Sequence, residues 1–205
     1  MRRKLLAVPA ISGAAVLALV PGCASDGTDR VAPTPPAFTS AERRELVELA
    51  VSADQLPPLD RTSASLTSDD VVALADLPDL RQTLETAGFR GGLKLEYRGV
   101  SPRLSGVESQ VLAFTSDAGA ATFGAYLAEH AGAFFGEPIT VSPVALGDRA
   151  AWRFDPPVCD CAGAQPLSAG AVQVGANLVV LQITGPEADA GMMKGLLAAA
   201  VGPTA

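Results

Sequence analysis

Two β-rich apolar runs, residues 171–174 and 178–184, flank Gly175-Ala176-Asn177. Gly and Asn tolerate left-handed backbone, so the short segment reads as a tight turn and the runs as paired strands. This hairpin constrains the fold more than any other feature. Strands that follow one another in hairpin order imply an antiparallel sheet, which needs a layer packed against it.

Further strands and helices precede it. Leu93, Leu95 and Tyr97 alternate with Lys94, Glu96 and Arg98, a period of two with one wet face. Residues 107–115 form the next apolar run, and the loop at 99–106 joins the two as a hairpin. Asp117 is placed to cap a helix on which Ala120, Phe123, Leu127, Ala131 and Phe134 make one stripe. Two more strands are expected at 139–144 and 150–154. A last helix is expected to begin near Pro186, with Met192, Leu196, Ala199 and Ala200 facing inward.

Upstream, Thr39 and Glu42 have capping-box spacing. Leu46, Leu49, Ala50 and Ala53 follow on one face, and Pro57-Pro58 ends the run. A second helical stretch is expected over 68–87, broken near Pro78, with Leu80, Leu84 and Ala87 on a common face. Gly88-Phe89 then reads as its C-terminal cap. The expected fold class is α+β: an antiparallel sheet with helices packed on one face, preceded by N-terminal helices. The other face is expected to be solvated or to carry a groove.

The first residues are of another kind. Arg2, Arg3 and Lys4 precede an apolar run over 5–20, and Val20-Pro21-Gly22-Cys23 resembles a lipobox with Pro21 in place of the usual small residue, the thiol of Cys23 being the atom expected to take a diacylglycerol. The run falls short of the roughly 20 apolar residues a span needs, and Pro9, Ser12 and Gly13 interrupt it. The expected organisation is a lipoprotein signal peptide at 1–22, a disordered tether at 23–38 and one α+β domain at 39–203. The tether contains Pro33, Pro35 and Pro36 and offers little to bury. About 15 extended residues would hold the domain roughly 45 Å from the surface. The chain is expected on the extracytoplasmic face of the cell membrane, lipid-anchored.

The 205 residues carry 15 cations and 22 anions. Residues 1–22 hold three of the cations and no anion, which leaves a mature balance of −10. An acidic surface repels nucleic acid and anionic headgroups, so attachment has to come from the lipid.

Candidate chemistry is sparse. Cys159-Asp160-Cys161 follows Pro156-Pro157. With Cys23 acylated, Cys159 and Cys161 are the remaining pair in an oxidising compartment, and a local disulfide is the expected state. So short a loop brings strain, which leaves a thiol-redox role open. The usual redox motif has two intervening residues, however. A metal site on two thiols and Asp160 is the third reading. His130 is the sole histidine and borders a helix stripe, so a boundary position competes with any catalytic role. Asp69-Asp70 follows Thr67-Ser68 and suits a helix first turn. Trp152 and Phe154 flank Arg153 on a strand, so both rings share a face. They either pack in the core or line a groove for an apolar ligand. No G-x-S-x-G, P-loop or H-E-x-x-H occurs, and no cofactor is implied.

Several short pieces carry a resemblance: Ala87-Gly88-Phe89-Arg90-Gly91, Phe114-Thr115-Ser116-Asp117-Ala118, Leu146-Gly147-Asp148-Arg149-Ala150 and Val174-Gly175-Ala176-Asn177-Leu178-Val179-Val180. Over roughly residues 65–202 the chain resembles the PsbP-like α+β fold. It is similar to actinobacterial lipoproteins of the LpqN type and to the sensor domain of PknH-type kinases. The resemblance implies a non-catalytic binding or sensor module, with an envelope protein or a small apolar ligand as partner. The PknH type carries two disulfides, where this chain has one close cysteine pair. Two rival readings remain: a carrier of lipid or another apolar ligand, and a thiol-redox protein using Cys159 and Cys161.

Overall fold

The computed structural model describes residues 38–99, 101–136, 138–156 and 165–202. Its centre is a seven-stranded sheet in the order β1-β2-β3-β7-β6-β5-β4. The strands are β1 (Asp60–Leu66), β2 (Phe89–Arg98), β3 (Gly106–Phe114), β4 (Thr140–Pro143), β5 (Ala151–Asp155), β6 (Leu167–Val174) and β7 (Asn177–Thr184). Every adjacent pair is antiparallel. The fold class is thus the expected antiparallel α+β sheet.

The helices are α1 (Ser40–Leu49), α2 (Ser68–Val72), α3 (Leu80–Thr86), α4 (Asp117–Glu129), α5 (Ala131–Phe135) and α6 (Ala190–Val201). They were expected on one face, but they divide between both. Leu46 of α1 and Met193 and Leu197 of α6 pack with Leu93, Leu95, Val111, Val179 and Leu181 in a first core. Val71, Leu84, Phe123 and Leu127, from α2, α3 and α4, pack with Leu112, Phe114, Leu178, Val180 and Phe154 in a second. The reason lies in the central strands. β3 and β7 are apolar on alternate residues of both parities, so each strand has two faces to cover. One helical layer leaves one of those faces wet. Helices α2 to α5 bury that face, each aliphatic side chain so covered contributing ~1.5–3 kcal/mol.

Local signals set the element ends. The Thr39 hydroxyl accepts from the Glu42 amide at 3.2 Å, and the Glu42 carboxylate accepts from the Thr39 amide at 2.9 Å. Gly88 adopts φ +71° just beyond α3, a conformation that strains any residue with a Cβ. Gly175 (φ +57°) opens the two-residue turn between the paired Val174 and Asn177, where Asn177 already belongs to β7. The α4 cap is Ser116, whose hydroxyl accepts from the Gly119 amide at 3.1 Å; Asp117, expected to cap, is the first helical residue. The last helix starts at Ala190 behind Asp189, which accepts from the Met192 amide at 2.8 Å. Pro186 lies in the preceding turn.

Two expectations change further. Strand β1 has no counterpart in the sequence reading, because only Leu66 of its seven residues is buried. Phe38, read as the last tether residue, packs against the first core, and the Arg90 guanidinium lies 5.7 Å from its ring centroid.

Candidate functional site

The second face is incompletely covered. Helices α2 to α5 lie over its apolar part, whereas the face of β2, β3 and β7 next to them is polar. Across this strip Glu96 faces Glu108, Glu108 faces Gln182, and Lys94 faces Gln110. Like charges directly opposite one another destabilise a sheet. Lys94 relieves the conflict: its Nζ lies 2.6 Å from Glu96 Oε1 and 3.3 Å from Glu108 Oε2. Gln110 Nε2 donates to Glu108 Oε1 at 2.6 Å, and Arg98 reaches Glu96 from solvent at 3.6 Å.

The three charged groups of this floor are half-buried, which makes their arrangement matter. The hydrogen bond from Lys94 holds the Glu96 carboxyl below its usual range, against the opposing effect of burial. The same bond first, and the Glu108 charge with it, pushes the Lys94 ammonium above its ordinary value although burial works the other way.

Where this floor meets the helices there is a cavity of ≈ 60 Å³. Its apolar wall includes Val71, Leu74, Leu127, Phe134 and Phe135, and its polar side is Glu108, Gln110 and Gln182. Leu74 is 40% exposed, one of two large apolar side chains so placed among the described residues. A shallower hollow of ≈ 130 Å³ shares Glu108 and Gln182 and runs on to Arg98 and Thr184. Together they form a groove with a hydrogen-bonding floor and an apolar wall. A wider cleft of ≈ 500 Å³ opens on the other face between Leu56, Leu104 and α6. Asp54, Gln55 and Arg103 also line it, and Arg103 is paired with Glu187 at 2.6 Å.

The residues singled out from the sequence fall as follows. Phe154 is fully buried, its ring stacked on Phe135 at 4.9 Å between centroids. Trp152 lies beneath α4 against Gly124, where a Cβ would come within 2.9 Å of the indole. Neither lines the groove; Phe154 stands directly behind Phe135, which does. His130 closes α4 with its ring 4.4 Å from that of Tyr126. Tyr126 donates to Asp79 at 2.7 Å, and burial first and then the Asp79 bond push its phenol up to about 12. Asp70 accepts from the Thr67 amide at 2.7 Å, and Asp69 pairs with Arg81 at 2.7 Å, so both acids serve the start of α2. Cys23, Cys159 and Cys161 lie outside the described residues.

A groove was one of two expectations for the second face, but its residues escaped the sequence reading. Lys94 and Glu96 were seen only as the wet side of a strand. Glu108 and Gln110, polar residues within an apolar run, were the available signal.

The fold and groove define a class: an antiparallel α+β sandwich with a mixed polar and apolar mouth on one face of the sheet. No protein-family model matches the chain, and no curated protein sequence matches it. Among solved structures, the extracellular domain of PknH from Mycobacterium tuberculosis shares this fold. The TM-score is 0.54 at 10% identity, over 77% of this chain and 93% of that one. The PknH-like resemblance read in the sequence is therefore present in the architecture.

Proposed function

We propose that the chain is a non-catalytic binding or sensor module held at the extracytoplasmic membrane face by a lipid on Cys23, and that the groove beside Lys94, Glu96 and Glu108 receives its ligand. The observation that carries this reading is the half-buried charged floor under the Val71, Leu74 and Phe135 wall. Such a mouth selects a ligand with one apolar and one polar end. The shared fold with an extracellular domain supports the location. Residues 1–23 support the anchor, and the acidic surface leaves the lipid as the means of attachment.

Of the two rivals, the apolar-ligand carrier would need the wider cleft of ≈ 500 Å³ beside Leu56, Leu104 and α6, since the ≈ 60 Å³ cavity holds only one end of a ligand whose remainder lies along the open groove. The redox reading rests on Cys159 and Cys161 alone. We expect that pair to be joined in exported protein, with a small effect on the fold, since the loop it would close is too short to restrain much of the unfolded chain. Intact mass before and after reduction reads the bond.

Two measurements test the proposal. Detergent-phase partitioning should retain the wild-type chain and lose Cys23→Ala; equal partitioning would remove the anchor from the reading. Native mass spectrometry of protein recovered from envelopes should show a small bound mass that is lost in Leu74→Glu. A bound mass unchanged by that substitution would place the ligand elsewhere.

A further inference from the structure

The two edges of the sheet are built differently. Strand β4 has four residues, ends in Pro143 and is preceded by Pro138. A short, proline-bearing edge discourages pairing. Strand β1 has seven residues, six of them exposed, all in register with β2. It contains no proline and no lysine. Between Arg61 and Leu66 it runs Thr62, Ser63, Ala64 and Ser65, small uncharged residues that do not obstruct an arriving chain. It is the terminal strand, and among the described residues no strand lies beside its outward amides and carbonyls.

Charge gives this edge a preference. Leu66 points into the second core, so Arg61, Ser63 and Ser65 point to the opposite face, the one covered by α1. There Arg43 of α1 donates to Ser65 Oγ at 3.0 Å. Two guanidinium groups thus stand on one face of the open edge, separated by four residues or roughly 13 Å of strand. Among the described residues, neither has a carboxylate within 4 Å. This is a local cationic face on a chain whose net charge is −7.

We propose that β1 is a strand-addition site for an extended acidic segment of a partner protein. The segment lies beside Asp60–Leu66, and its alternate carboxylates fall on the Arg43 and Arg61 face. Main-chain hydrogen bonds supply the affinity and the two arginines supply the choice of partner. A second copy of this chain is a poorer occupant. Antiparallel two-fold pairing about Ser63 sets the copy's Arg61 opposite Ser65, against Arg43, and the same repulsion recurs at the other end.

The test uses the full acylated chain in detergent micelles at about 0.15 M salt, where the long-range repulsion of an acidic peptide is screened beyond about 8 Å. The probes are acetyl-(Thr-Glu)4-amide and acetyl-(Thr-Lys)4-amide. The first should slow amide exchange and move NMR resonances within Asp60–Leu66, and the second should not. The double variant Arg43→Glu/Arg61→Glu, whose spectrum should be unchanged away from this edge, should weaken the Thr-Glu probe about tenfold and favour the Thr-Lys probe. Absence of binding, equal binding of both probes, or changes centred outside β1 would overturn the proposal. Concentration-dependent dimerisation through β1 would also do so, by assigning the edge to a second copy.

Discussion

The Tyr97 hydroxyl donates to the Val51 carbonyl at 2.7 Å, 46 residues back along the chain and inside the first core. The Val51 amide donates in turn to Ser109 Oγ at 3.3 Å. Both backbone groups of Val51, fully buried just after α1, are thereby satisfied by side chains of β2 and β3. This is how an irregular segment is held under α6 without leaving buried polar groups unmet. Burial pushes the Tyr97 phenol up, so it stays a donor through the physiological range. Tyr97→Phe keeps the ring and strands the carbonyl. It should cost about 1–3 kcal/mol in denaturant unfolding. A change under about 0.5 kcal/mol would show that water replaces the bond.

Gly124 gives Trp152 its place. A Cβ there would stand 2.9 Å and 3.0 Å from two indole carbons, and a rigid ring under α4 has little room to yield. Alanine gains roughly 1 kcal/mol of helix propensity over glycine, while overpacking costs typically 1–3 kcal/mol. Gly124→Ala should therefore lower stability by about 1 kcal/mol and shift the emission of the sole tryptophan. Increased stability with unchanged emission would mean that the indole moves aside freely.

How much of this was legible in the sequence follows from where the determinants lie. The Thr39–Glu42 box, the Gly88 cap and the Gly175 turn are local, and each was readable because its partners are within a few residues. Strand β1 was not. Its residues have no apolar alternation, and it is a strand because β2 offers seven positions to pair with. The division of the helices was signalled by the apolar stretches 111–114 of β3 and 178–181 of β7, which mark strands covered on both faces; the alternating β2 pattern hid it. The groove needed register. Lys94, Glu108 and Gln182 sit on three strands, and only the pairing of β2 with β3 and β7 brings them side by side.

Phe38 is the first described residue, and it is packed against the first core. Its ring comes within 3.0 Å of a Cβ built on Gly91 and carries the Arg90 guanidinium over its face. Deletion of residues 24–37 should leave the melting temperature unchanged, since their composition offers no core. Phe38→Ala should lower it by about 2–4 °C, the effect of roughly 1 kcal/mol in a domain of this size. A large drop from the deletion alone would assign packing to the tether; no drop from Phe38→Ala would return that residue to it.

Lys94 is the residue on which the groove floor depends, and its effect has a pH signature. The Glu96 carboxyl is held below its ordinary value of 4.5. Its contribution is full above that value and fades as pH falls through the lowered one. The Lys94 ammonium is held above its ordinary 10.5, so its contribution is full below that value and fades as pH rises through the raised one. The floor is thus most stabilising between these limits. Lys94→Met removes the cation shared by Glu96 and Glu108, and leaves them facing each other with only the exposed Arg98 near Glu96 and the Gln110 amide on Glu108. With the Lys94 bond gone, the first cause of the lowered Glu96 value is lost, and the acid-side contribution of that carboxylate goes with it. Denaturant unfolding at pH 7 should show a loss of about 1 kcal/mol, discounted for the partial exposure of the groups. The loss should shrink as pH falls below the ordinary carboxylate value of 4.5 and Glu96 takes up its proton. A loss constant through that fall would mean that Lys94 acts through packing of its stem, and the charged floor would then lose its place in the binding reading.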